Sequence, residues 1–286
     1  RQDKFRKRIA AFQHAEALDP RDKHSLGLLW STFRAVRDWP EAIRTGDRLK
    51  AVLLPEDQRY FFWGHAFIEF RMRGVLDPLK KAIAEAPIGT APGVLSLVRY
   101  QLAMLERDFP AAERFLRETP AEVFEDWRTE MLGHKSMEEA LLAVARGADS
   151  AVVERALLMA RQECETRLAK DPTAIELHGF LGLIDAFRGR KEDAIREGQH
   201  RLELENNSML EKNAAAANLA LIYARAGEPD EAIRLIEKLL TVPADLAPDV
   251  FSMTQADLKW RWVWDPLRDD PRFQKILEGP EPKTIY

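Results

Sequence analysis

The sequence predicts an all-α protein, a solenoid of stacked helix–turn–helix hairpins. Three observations carry that reading. Apolar residues recur at helical spacing, a turn built on Gly or Asp-x-Pro interrupts them at a near-constant interval, and a matching contact residue follows each turn. The composition agrees: of 286 residues, 46% are hydrophobic and 31% charged, enough for a sizeable core in an ordinary globular chain. A net charge of −4, from 43 basic and 47 acidic side chains, argues against bulk attraction to nucleic acid or an anionic membrane. Cys164 is the single cysteine, which excludes an internal disulfide, and no apolar run is long enough to span a bilayer.

The last hairpin is the clearest. Leu219, Ile222 and Tyr223 share a helical face, Gly227 breaks the helix, and Pro229 and Asp230 open the next. Ala232, Ile233, Ile236 and Leu239 form the second stripe, which ends at Pro243, and Ala232 is the small residue where the two helices approach. The same order recurs upstream. Leu181 and Gly182 precede Gly189 and Ala194, which stands 38 residues before Ala232. Leu29, Trp30 and Phe33 precede the turn at Asp38–Pro40 and Ala42. Two weaker copies keep the grammar in part: Trp63, Phe67, Phe70 and Gly74 lead to Leu79 where alanine is expected, and Tyr100 leads through Asp108-Phe109-Pro110 to Ala112.

This order resembles the tetratricopeptide repeat (TPR) family over residues 1–243, most closely at 173–243, recognisably at 23–118 and poorly at 119–150. In the middle, three helices of unequal length are expected, with their phase open. Phe12, Ala15 and Pro20 match a second helix without its first, so the chain is expected to start in mid-repeat. The resemblance implies a right-handed superhelix of about six hairpins whose first helices line a concave groove. Residues 244–286 are expected to form a tryptophan-rich cap packed on the last repeat. Trp260, Trp262 and Trp264 alternate in it, which suggests a short extended, strand-like segment. Trp264-Asp265-Pro266-Leu267-Arg268 with Asp270-Pro271-Arg272-Phe273 is similar to the segment that closes such arrays in bacterial multidomain signalling proteins, where kinase, adenylate-cyclase or winged-helix domains are attached. That likeness implies an interaction or sensory module of a larger protein, cytoplasmic or, alternatively, a periplasmic domain of an anchored one.

Chemistry is harder to find. His14, His24, His65, His134, His178 and His200 are scattered, and no two stand at a helical metal-ligand spacing. Cys164 falls on the apolar stripe of a second helix, with no activating base in view, and reads as a buried structural thiol. The string HGFLG at 178–182 lies inside a helix, where its glycines permit close packing instead of cradling phosphate. No enzyme activity, metal or cofactor is therefore expected. A basic first helix (Arg1, Lys4, Arg6, Lys7, Arg8) and the terminal tryptophans could contact nucleic acid, but the balanced charge opposes it.

The expected site is the groove. By the family resemblance its lining includes His24, Gly27, Ser31 and Arg34, then Phe61, Gly64, Ile68 and Arg71, and finally Ala217, Leu221, Ala224 and Arg225. Apolar surface with a few arginines suits a protein or peptide partner, an amphipathic segment of acidic character. The competing readings are that these arginines only keep the groove hydrated, and that the array serves self-association (a homo-oligomer) with no separate ligand.

Overall fold

The computed structural model describes residues 3–86, 89–124, 134–206, 208–244 and 253–285. Its hairpins are defined by their caps. Helix α1 (Asp3–Leu18) packs on α2 (Lys23–Ala35), whose first turn is closed by the Asp22 carboxylate accepting from the backbone of His24 and Ser25. Asp38 caps α3 (Trp39–Val52) in the same way, with Pro40 in the first turn, where a missing N–H has no consequence. The array continues with α4 (Pro55–Arg73), α5 (Asp77–Ala84), α6 (Pro92–Glu106) and α7 (Phe109–Glu118), then a 3-10 turn at Ala121–Phe124. It goes on through α8 (Lys135–Ala145), α9 (Ser150–Lys170), α10 (Glu176–Phe187), α11 (Lys191–Leu204), α12 (Met209–Arg225) and α13 (Pro229–Leu239). Successive helices pair from α2·α3 to α12·α13, a TPR-like array of six hairpins after α1 among the described residues.

Every one of these hairpins turns through a residue in the left-handed region: Arg37, Gly74, Arg107, Gly147, Gly189 and Gly227, with φ between 57° and 78°. Glycine adopts this conformation freely, and an L side chain does so only against steric resistance. Four of the six positions are glycine; the other two are arginines. Five residues beyond the turn lies the helix-contact position. Ala42, Leu79, Ala112, Ala194 and Ala232 are all completely buried there, so Leu79 fills the slot as well as alanine does.

The fourth hairpin breaks the pattern. At the equivalent place α9 carries Val152, which is exposed, and the helix buries Leu157, Ala160 and Cys164 instead. The unequal lengths expected here are seen in the 11 residues of α8 against 21 of α9. Part of the helix expected upstream of α8 falls on 125–133, outside the described residues, as do Arg1 and the side chain of Trp63. Gly182 does allow close approach: a Cβ there would stand 2.7 Å from Ile222 Cδ1 and 3.0 Å from the Ala194 carbonyl oxygen.

One core cluster runs from α8 to the chain's last helix and joins Met137, Leu181, Ile222, Trp264 and Phe273; a second fills α4–α7 around Phe67, Phe70, Leu97 and Tyr100. The tryptophan-rich segment corrects one expectation. It is helical, not extended: α14 (Gln255–Trp260), a 3-10 stretch Trp262–Leu267 and α15 (Pro271–Glu278), and no strand occurs among the described residues. The cause is local. Thr254 caps α14 by accepting from the Asp257 N–H, and the tighter 3-10 winding, which accommodates Pro266, buries both Trp262 and Trp264. Period-2 alternation over three tryptophans does not distinguish that winding from a strand. No described helix is long and apolar enough to cross a membrane.

The two ends of the array meet. Phe5, Ala35 and Val36 of the first helices pack with Leu210 at the start of α12, and the Ala244 N–H donates to the Ala35 carbonyl at 2.9 Å.

Candidate functional site

The first helices α4 and α12 pack against the segment 253–285, and the face of the array that meets this segment is termed the inner wall. On α4, Arg71 is buried and its Nε donates to Asp257 Oδ2 at 3.1 Å. That carboxylate also accepts from Thr254 Oγ1 at 2.8 Å and from Arg261 Nε at 3.0 Å, so it is fully engaged in a site without solvent. On α12, Arg225 donates to the carbonyls of Val263 and Trp262, both at 2.7 Å. Its guanidinium approaches two mutually stacked rings, 5.2 Å from Phe187 and 4.7 Å from Trp262. Burial lowers the Arg225 pKa to about 10, and the nearby Asp265 opposes that shift, so the cation persists at neutral pH.

The turns complete the wall. Arg37 is buried and reaches four oxygens: Val242 O at 2.8 Å and Thr284 Oγ1 at 3.2 Å through one terminal nitrogen, Leu239 O at 3.0 Å and Met253 O at 3.2 Å through the other. Its Nε lies 3.7 Å from Glu281. Burial pulls Arg37 down to about 10 and pushes the Glu281 carboxyl above its ordinary range, while each charge moderates the shift of the other. Gly74 O accepts from the Trp260 indole at 2.9 Å. Arg107 grips Asp265 with two bonds, at 2.8 and 2.6 Å. Thus three successive turns bind the same segment.

The residues expected in the groove divide accordingly. Arg71, Leu221 and Arg225 lie against 253–285, Leu221 in a buried cluster with Trp262 and Trp264, whereas Ile68 is buried in a different cluster with Phe33, Ala42 and Ala244. Phe61 is buried beside Trp30, ring centroids 4.8 Å apart, and Arg34 lies 4.4 Å over the same indole. His24 and Ser31 are exposed on α2. Sequence reasoning missed Arg37, Arg107, Asp257, Asp265 and Glu281. A signal for the first two did exist, since aligning the turns leaves arginine in a slot that glycine otherwise holds.

Two side-chain groupings correct the reading of isolated polar residues. Cys164 does have a base beside it: His134 Nε2 is 3.0 Å from Sγ, and His134 Nδ1 is 2.8 Å from Ser136 Oγ, which donates to Glu163. Yet burial pushes the thiol up to about 12, and Sγ belongs to a fully buried residue, so the thiolate a nucleophile needs is not formed at neutral pH. His178 and His200 also meet, across α10 and α11 with centroids 4.7 Å apart, and His178 Nδ1 is 2.8 Å from Glu197. Among the described residues no group of three His, Cys, Asp or Glu side chains could hold a metal ion.

Helical hairpins of this length, with alanine at the crossing and glycine at the turn, are the pattern that a comparison with known families can test. The tetratricopeptide repeat model matches residues 215–248. The match takes in most of α12 and all of α13, the hairpin with Gly227 at its turn and Ala232 at its crossing. No curated protein matches the chain. The other hairpins except α8–α9 share the turn and the buried contact position of the matched tetratricopeptide repeat, and repeats of this type generally mediate protein–protein interaction.

Buried His134 and half-buried His65 are expected to give the fold a pH dependence. Burial lowers the pKa of both His134 and His65 below the ordinary 6.5, while Glu163 and Asp47 respectively oppose the shift. A folded pKa below the unfolded one means the unfolded chain binds more protons, so the stabilisation is present above pH 6.5 and is lost as pH falls through that value. Urea unfolding between pH 7.5 and 5 is expected to show stability falling by up to about 1.4 kcal/mol per pH unit for each histidine. His134→Gln is expected to flatten that slope, and an unchanged slope would remove His134 as its source.

Proposed function

We propose that the protein is an interaction scaffold whose inner wall binds peptide segments of a protein partner. One observation carries the reading. The wall already holds a peptide segment, its own residues 253–285, by the means a peptide site uses: arginine to carboxylate at Arg71–Asp257, arginine to main-chain carbonyl at Arg225, and tryptophan anchors in apolar surroundings. The partner that fits is amphipathic, with acidic residues and aromatic anchors. The likeness of 264–273 to array-closing segments supports a place in a larger bacterial signalling protein. The exposed α2 face with His24 and Ser31, next to Arg34, is the part of the expected groove still open to solvent.

The test uses that open face. Partners captured by the immobilised chain from native extract would be identified and reconstituted from purified components. His24→Glu with Ser31→Glu, which repels an acidic segment, is expected to weaken the reconstituted complex by about tenfold or more at unchanged melting temperature, because neither side chain is buried. An affinity equal to wild type would remove this face from the site. Self-association is the second reading, favoured by the exposed Val152, Leu158 and Met159 on α9. It requires a mass that rises with concentration in sedimentation; a constant monomer mass excludes it.

A further inference from the structure

Six hairpins turn through the left-handed region, and only two do so with a side chain. Both exceptions are arginine, and both reach the same distant segment: Arg107 with its whole guanidinium, Arg37 by dividing its bonds between the end of α13 and residues 253–285. Arg37 donates to Val242, Leu239, Met253 and Thr284, and Arg107 makes a two-bond pair with Asp265. A turn that needs only to reverse the chain is served better by glycine, as Gly147, Gly189 and Gly227 show. Backbone strain kept at two equivalent positions, each with a side chain that reaches residues 253–285, indicates what the strain is retained for.

We propose that Arg37 and Arg107 are clasp residues, which hold residues 253–285 on the inner wall as an occupant in cis, so that the chain limits access to its own peptide-binding surface. The segment has the character of a bound unit. Its internal bonds tie it together, with Gln255 Nε2 donating to Ile276 O at 2.8 Å and Gly279 O at 2.7 Å, and Arg268 donating to Lys259 O at 2.7 Å. Its outward bonds go to Arg37, Arg71, Gly74, Arg107 and Arg225. It also fills the wall with buried Trp262, Val263, Trp264, Leu267 and Phe273. A competitor must replace those anchors, so the occupant that can exchange with it is a segment of the same chemistry: tryptophan or leucine at the anchors, an aspartate for Arg71 and another for Arg107. The inference rests on the proposed binding role of the inner wall, but the following readouts need no partner, so its failure and the failure of that role are distinguishable.

The experiment compares wild type with Arg37→Gly/Arg107→Gly in the full chain. Glycine adopts both turns without strain, so the substitution removes the clasp and keeps the turn. Amide exchange in 254–267 is expected to speed up by about tenfold or more while α10 and α11 stay as in wild type. A fluorescent synthetic peptide of residues 253–285 is expected to bind the variant more tightly than wild type, by about tenfold. Because Arg37 is buried, Arg107→Gly alone and Asp265→Asn provide the second arm; both act on a partly exposed pair and are expected to shift exchange at 262–267 in the same direction. Exchange in the segment equal to wild type, a rise shared equally by α10 and α11, or peptide binding no tighter in the variant would each overturn the proposal.

Discussion

Trp264→Ala is expected to destabilise the protein by about 3–5 kcal/mol, among the largest effects of any single substitution outside the charged network. Trp264 is completely buried in the cluster that joins α8 to the last helix, so truncation leaves a cavity the size of an indole where the segment and the array meet. Its indole nitrogen is buried without a hydrogen-bond partner, which supplies a control. Trp264→Phe gives up volume but also removes an unsatisfied donor, and the two effects oppose each other. Urea unfolding should therefore place the phenylalanine variant much nearer to wild type than to the alanine variant. Equal losses for the two would show that the indole nitrogen has a partner.

Asp257→Ala is expected to cost about 3–5 kcal/mol by a different route, because it strands charge instead of opening space. The carboxylate has no exposure and accepts from Arg71, Arg261 and the Thr254 hydroxyl that caps α14. Without it two guanidiniums stay in the interior with their main counter-ion gone. Asp257→Asn keeps the shape and one acceptor and should lose less. The reciprocal change, Arg71→Met, should also lose less than Asp257→Ala, since it removes a buried cation and leaves Asp257 paired with Arg261. Denaturant midpoints of the three variants in one buffer rank these effects, and an Asp257→Ala midpoint within error of wild type would mean that the network contributes nothing.

The hairpins were legible because their signals are local. A cap, a turn and a contact residue lie within about ten residues of one another, and each is enforced by backbone sterics or by the distance between two helices. Ala42, Ala112, Ala194 and Ala232 could be read for that reason, and each is buried at a crossing. Leu79 could not be ranked with them, because whether a larger side chain fits depends on the facing helix. The phase of α9 was illegible for a related reason, as Val152 occupies the contact offset and α9 nonetheless buries a different stripe. The helical form of 253–267 was missed because three tryptophans fit two periods, and Thr254 with Asp257, the capping pair that decides between them, was not weighed. The occupied inner wall lay furthest from view. Arg71 and Arg225 were expected in the groove from the repeat pattern, but what satisfies them is set by pairings 186 and 38 residues away, which no local period records.

The junction of the array's ends also bears on how the chain comes into being. In an open repeat array each unit leans only on its neighbours, so folding can follow the ribosome hairpin by hairpin. Here the Arg37 side chain waits for acceptors 202 to 247 residues downstream. A nascent chain can form its early hairpins but must hold a buried-type cation and an unfilled inner wall until residues 253–285 emerge. Completion then comes late and all at once, and a chain that stops short of residue 253 lacks the piece that turns a row of repeats into a single cooperative body.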